Sequence, residues 1–327
     1  MSYLVAGRTI LIEASDDWAH RTVSEVFAGW FFDSIPPDTS QHPNATIRIH
    51  CQADLPAVPS NLPGFAITTG GTCLTDEKSY YLVFTDALVV FGTGTEAKVD
   101  LWLTQANKPS SSRFVQLLSQ ALSPAFRRSG IFEIHSAAVI PPQSNSAIMI
   151  AGTSGSGKST LTTQLASSGW DYLSDDILLL TAGEELQLHG FRRFFALTNE
   201  TLGAAGLTAL KNSGVTNSKQ RIIPQDHFSR PPIERATPGA IVFPTITGQG
   251  ESQIKALSPA QTMSRVLRLC PWASYDKGTS VEHLRVLGCL ANNLNGFDLL
   301  AGTDILNDSH LTARMFFKIA SKAFSAY

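Results

Sequence analysis

The sequence predicts an α/β protein: a phosphate-binding-loop (P-loop) domain preceded by a small α+β N-terminal domain. Three observations predict it. An apolar, strand-like run at 147–151 leads into the glycine-rich stretch GTSGSGKS at 152–159, and Leu161 and Leu165 then recur at helical spacing. Upstream, short β-branched and aromatic runs are separated by turn-forming residues. Between the two, Ala106 to Ser112, with Pro109 and several serines, reads as a linker, so the expected domains cover 1–108 and 109–327.

In chain order, Thr9 to Ile12, Ala45 to Ile49, Tyr80 to Phe84 and Ala87 to Phe91 are the N-terminal strand candidates. Pro36, Pro37 and Asp38, then Pro56, Pro59 and Pro63, then Gly70 and Gly71 punctuate them. One helix is expected over about Asp17 to Phe31, because Val23, Val26, Phe27 and Trp30 share a helical face. Nothing in this region has the arrangement of a catalytic site. A second helix carries Phe114, Leu117, Leu118, Ala121 and Leu122, and Pro124 is expected to end or kink it. From Ile131 the pattern becomes strand, polar turn at Pro141 to Ser146, strand, which is a hairpin feeding the glycine-rich loop. Farther on, Gly239 to Ile246 reads as a buried strand and Ser258-Pro259 opens a helix. A last helix from Ser309 covers the core or packs on a second copy of the chain, so a homo-oligomer is among the expectations.

Composition narrows the function classes. The 327 residues are 43% hydrophobic and 16% charged, which excludes a disordered or fibrous protein. With 25 Lys+Arg against 27 Asp+Glu, the chain lacks the basic excess that offsets phosphate repulsion, and nucleic acid is not an expected partner. Cys51, Cys73, Cys270 and Cys289 are widely spaced, with no CxxC pair, so neither a zinc site nor a disulfide framework is indicated. The opening stretch MSYLVAGRTILIEASDDW has no basic leader, and no apolar run approaches about 18 residues. The expectation is a cytoplasmic chain without membrane partners.

The segment from Gly152 to Ser159 fits GxxxxGK[ST] in full. Gly152, Gly155 and Gly157 let the backbone adopt conformations other residues resist, so that amides from Thr153, Ser154, Ser156 and on to Thr160 can converge on phosphate oxygens at a helix N-terminus. Lys158 would bridge the terminal phosphates of a nucleotide, and the Ser159 hydroxyl would ligate Mg²⁺, which prefers oxygen. ATP and Mg²⁺ are therefore the expected cofactors.

Strand-like WDYLSDDILLL follows directly, with Asp175 only 17 positions beyond Lys158. So short a helix is expected to return at once to a neighbouring strand, placing two carboxylates beside the phosphates. One can hold Mg²⁺ while the other accepts a proton from an attacking hydroxyl. Asp176 is preferred as base and Asp175 as metal ligand, although the two roles are exchangeable on the sequence. Successive strand residues face opposite ways, so both serve one site only if the strand ends or bulges there.

His135-Ser-Ala-Ala-Val, followed by GTSGSGKSTLTTQLASSGWDYLSDD, resembles the kinase domain of HPr kinase/phosphorylase and its relatives, which share a core with ATP-dependent phosphoenolpyruvate carboxykinases. The resemblance covers about Ile134 to Leu180. It implies an active-site role for His135, the loop as the ATP site, and the paired Asp as base and metal ligand, in a kinase acting on a serine of a protein or peptide. Departures occur downstream, where the family carries Glu-x-Arg-Gly-Leu-Gly. This chain has Gln187 and His189 in place of the Glu and Arg, which puts phosphorolysis and recognition of HPr in doubt. Arg192 or Arg193 is a candidate for charge on the transferring phosphoryl group, and Lys219 and Arg221 for a substrate-binding loop. A small-molecule hydroxyl acceptor, a carboxykinase-like activity and an ATP-binding sensor without transfer are the rival readings.

Overall fold

In the computed structural model, which describes residues 1–36, 42–67, 69–104, 109–210 and 219–324, the chain is a mixed α/β protein with two units. The first comprises Met1–Phe132 with Trp272–His283, the second Glu133–Pro271 with Leu284–Tyr327. Residues 106–108 of the expected linker lie outside the described residues, as do Pro37 and Asp38 of the first turn cluster. The division falls at Phe132 rather than at 108, because the helix after the linker packs on the sheet that precedes it.

Among the described residues of the first unit, nine strands form one sheet: β1 (Ser2–Val5), β2 (Arg8–Ala14), β3 (Asp33–Ile35), β4 (Ala45–Gln52), β5 (Gly64–Ile67), β6 (Gly71–Thr75), β7 (Ser79–Val83), β8 (Ala87–Gly92) and β9 (Lys98–Thr104), in the order β3-β1-β2-β4-β9-β8-β7-β6-β5. Pairing is parallel where β4 meets β2 and β9. Ile10, Ile12, Ile47, Ile49, Val99 and Leu101 are buried at alternate positions, the period-2 signature of a sheet with one covered face. Helix α1 (Asp17–Ala28) starts where the Asp16 carboxylate accepts the Trp18 N–H at 2.7 Å, and it stops short of Phe31, at Gly29. Helix α2 (Ser111–Arg128) runs through Pro124, which neither ends it nor prevents a further turn. That turn is held from outside the helix: Arg127 Nε donates to Asp276 at 2.9 Å, and Arg128 donates to both Asp276 oxygens at 2.8 and 2.9 Å.

The second sheet contains β10 (Ile131–Ile134), β11 (Ser136–Ile140), β12 (Ser146–Ala151), β13 (Asp171–Ser174), β14 (Leu178–Ala182) and β15 (Leu186–Gly190). After the short pair β16 (Phe195–Leu197) and β17 (Gln220–Ile222), it is completed by β18 (Arg235–Ile246), β19 (Gln253–Leu257) and β20 (Asn295–Ala301). The order is β10-β14-β15-β18-β12-β11-β13, with β20 also on β18 and β19 on β20. The helices are α3 (Lys158–Ser167), α4 (Asn199–Ala204), α5 (Pro259–Leu269), α6 (Trp272–Tyr275, in the first unit), α7 (Ser280–Asn293), α8 (Thr303–Leu306) and α9 (Ser309–Phe324). The hairpin of β11 and β12, the buried strand β18, and α5 opened by a Ser258/Gln261 capping box match the sequence expectation. Helix α9 buries Phe316, Ile319, Ala320 and Ala323 in this unit's own core.

Candidate active site

Strand polarity assembles the site. β11 runs antiparallel to both β12 and β13, with Ser136 opposite Ala151 and Ala138 opposite Ser174. The start of β11 therefore lies beside the ends of the other two, and His135, Gly152 and Asp175 meet at one edge of the sheet. The expectation that the strand after α3 neighbours the strand before it needs correction: β11 lies between them. The hairpin has already occupied that flank of β12, so β13 takes the free edge of β11.

The glycine-rich loop between β12 and α3 has the local features of an anion cradle. Gly155 and Gly157 sit at φ +81° and +96°, and a side chain on Gly152 would come within 2.5 Å of Ser156 Oγ. No side chain caps the first turn of α3, which leaves its amides open to a ligand. Ser156 Oγ is buried without a partner. Lys158 Nζ donates to the carbonyls of Gly152 and Thr153 at 2.9 and 3.0 Å, and burial lowers the pKa of its ammonium. α3 itself is anchored by Gln164, whose amide donates to the Ala204 and Leu306 carbonyls and accepts from Thr312 Oγ1 at 3.0 Å. The cradle is thus fixed before any phosphate arrives.

The paired aspartates lie in the bend where β13 ends and before β14 starts, not inside a strand as the apolar flanks suggested. Their environments differ. Asp176 Oδ1 is 2.5 Å from His135 Nε2, and Arg192 lies 3.8 Å from its other oxygen. Burial alone would raise this carboxyl, but the hydrogen bond and charge of His135, helped by Lys219 and Arg192, outweigh it and hold the pKa at about 2. Asp175 is 1% exposed and accepts the Ala196 N–H at 3.1 Å. Burial first, then the neighbouring Asp176 charge, push its pKa up to about 7.

A cavity of about 260 Å³ is lined by His135, Ser154, Gly155, Gly157, Lys158, Ser159, Thr160 and Asp176. Gly152, Thr153 and Ser156 line a neighbouring cleft, and Asp175 lines neither. Asp175, expected as the direct metal ligand, accepts a backbone amide in the interior through one carboxylate oxygen, and its backbone carbonyl lies 3.5 Å from Ser159 Oγ. In the cavity, the Ser159 hydroxyl is an oxygen donor suited to Mg²⁺. Among the described residues no cluster of three acidic, His or Cys side chains is placed to hold a metal.

Sequence reasoning missed Thr198, Glu200 and Thr201 on the cavity wall; Lys219, a candidate for a substrate-binding loop, lines the cavity too. The available signal was the helix-capping pattern Thr198-x-x-Thr201, in which the Thr198 hydroxyl accepts the Thr201 N–H at 3.2 Å. Of the two arginines, Arg192 reaches Asp176 whereas Arg193 lies 4.0 Å from Glu234. His189 and Gln187 are on β15, bonded to Thr181 and Thr237, and neither lines the cavity. The sequence departures at these positions therefore do not border the cavity that holds His135 and Asp176.

No family model matches the sequence, and no curated protein matches it. Among solved structures, the Hpr(Ser) kinase/phosphatase from Coxiella burnetii is similar at a TM-score of 0.34 and 11% identity, over 58% of this chain and 97% of that one.

Proposed function

We propose that this chain is an ATP-dependent kinase that transfers the γ-phosphoryl group of MgATP to a hydroxyl, a serine of a protein or peptide. One observation carries the reading: the His135–Asp176 pair, Lys158 and Ser159 open into a single cavity. A loop that binds phosphate for ballast alone has no use for a histidine-supported carboxylate facing it. Bound Mg²⁺ would offset charge on the phosphates.

Phosphoryl transfer passes through a loose transition state and demands positioning more than covalent chemistry. The loop amides and Lys158 stabilise charge on the phosphate oxygens. Ser159 would be the loop's ligand to Mg²⁺. Asp176, held near a pKa of 2, is a weak base toward a neutral alcohol, so its role is to orient the attacking hydroxyl and to take the proton late, when the oxygen has become acidic. His135 fixes the carboxylate. Asp175 holds the β13 bend to Ala196 and acts through Asp176.

The test is transfer of label from γ-labelled ATP, with Mg²⁺, to serine-containing proteins or peptides encoded beside this chain, the Asp176→Asn variant serving as blank. Label on a seryl residue with wild type alone supports the kinase. MgATP binding with no transfer to any of them favours a nucleotide-dependent sensor, and absence of MgATP binding removes the reading.

A further inference from the structure

Beside the loop, on the flank away from the catalytic pair, lies a second cleft of about 350 Å³. Loop residues Gly152, Thr153 and Ser156 form one wall, the end of β18 from Phe243 to Ile246 a second, and Arg265, Arg268 and Leu269 of α5 a third. Ser154, Gly155 and Ile246 border both this cleft and the catalytic cavity, so a ligand can run continuously from one to the other.

The two spaces differ in chemistry. The catalytic cavity holds Asp176, Glu200, Lys158 and Lys219, which suits phosphates, magnesium and a hydroxyl that must lose a proton. The cleft has two guanidinium groups, an aromatic ring and aliphatic walls, and among the described residues no carboxylate lines it. It cannot activate an acceptor. Arg265 is tied to Asp298 and sits near the Phe243 ring, its guanidinium carbon 5.9 Å from the centroid, and its Nε is buried without a partner. Two guanidinium groups beside an aromatic ring and aliphatic walls, faced by the small polar residues of the loop, suit a flat group with polar edges.

Resting on the kinase reading, we propose that this cleft takes the nucleoside of the bound nucleotide: the purine lies against the Phe243 side and the α5 guanidinium groups, and the phosphates pass over Ser154 and Gly155 to Lys158. Glycines at 152 and 155 and small residues between them keep the shared rim low enough for this passage.

Two substitutions on the exposed rim, Arg268→Ala and Thr245→Trp, test the idea by calorimetry against MgATP and against magnesium tripolyphosphate, which has the phosphates and no nucleoside. The expected result is about tenfold weaker MgATP binding in each variant, with tripolyphosphate binding unchanged. If ATP affinity is unmoved in both, the nucleoside lies elsewhere and the inference fails. An equal loss for ATP and tripolyphosphate also overturns it, because the cleft would then act on phosphate. Wild type that binds neither probe sinks the kinase reading itself, and the inference with it.

Discussion

At the scale of single residues, the two adjacent aspartates are the informative pair, since one chemical type sits in two environments that push its pKa in opposite directions. Asp176→Asn keeps the shape and removes the proton acceptor, so transfer is expected to fall by about 10²–10⁴ while MgATP affinity stays within a few-fold. Initial rates of label transfer beside calorimetry check it, and equal rates would exclude Asp176 from the chemistry. Lys158→Ala removes the ammonium that the proposed mechanism sets against the phosphates, and calorimetry with MgATP is expected to show most of the affinity lost, with transfer abolished. Asp175 acts on stability. Its folded pKa of about 7 lies above the usual carboxylate value, so its contribution is fully present below about pH 4 and is lost as pH rises toward 7. Asp175→Asn, which can still accept the Ala196 N–H, is expected to raise unfolding free energy at pH 8 by about 1–4 kcal/mol and to leave it unchanged at pH 4. Urea titrations at the two pH values decide this. A large loss of Mg²⁺-dependent ATP affinity in the same variant would return Asp175 to the metal.

At the scale of elements, the glycine-rich loop and α3 act as one device. The helix begins without a side-chain cap, yet it is tied to its surroundings by Gln164, which bonds to Ala204, Leu306 and Thr312. Gly157 allows the entry at φ +96°. An alanine there must adopt a backbone conformation that side chains resist, so Gly157→Ala is expected to cost about 1–2 kcal/mol in chemical denaturation and to weaken phosphate binding together with it. Loss of binding at unchanged stability would place the effect on ligand contact alone. Helix α2 teaches the converse lesson about local signals. Pro124 predicts an end, and the helix continues because Arg127 and Arg128 find a buried carboxylate far along the chain.

At the scale of the whole molecule, pH dependence is a sum of opposed contributions. Asp276 is buried within the first unit. Burial alone would raise its pKa, but the hydrogen bonds and charges of Arg128 and Arg127 win and lower it. Its stabilising contribution is therefore present above about pH 4 and is lost as pH falls through its folded pKa, the opposite limb from Asp175. Asp276→Asn leaves two buried arginines without their counter-charge, and a loss of about 3–5 kcal/mol at pH 7 is expected, together with a flatter acid limb. Thermal unfolding from pH 3 to pH 8 measures both effects, and an acid limb identical to wild type would remove Asp276 as its cause.

Much of the second unit is legible in the residues, because its elements are set by local rules. The 152–159 pattern, helical spacing after it, the hairpin before it and the Ser258 cap each follow from backbone freedom, periodicity or capping within a few positions. His135, Lys158, Ser159 and Asp176 were singled out the same way, or through the family resemblance, and they share the cavity. What only the tertiary structure decided depends on contacts between distant segments: the insertion of β11 between β12 and β13, the burial of Asp175, the arrival of Arg192, Thr198 and Lys219 at the site, and the survival of α2 past Pro124. Adjacent aspartates look alike in one dimension. Which of them faces solvent and which an interior amide is settled by where the chain bends at the end of β13, and that bend is held by a backbone N–H 21 residues away.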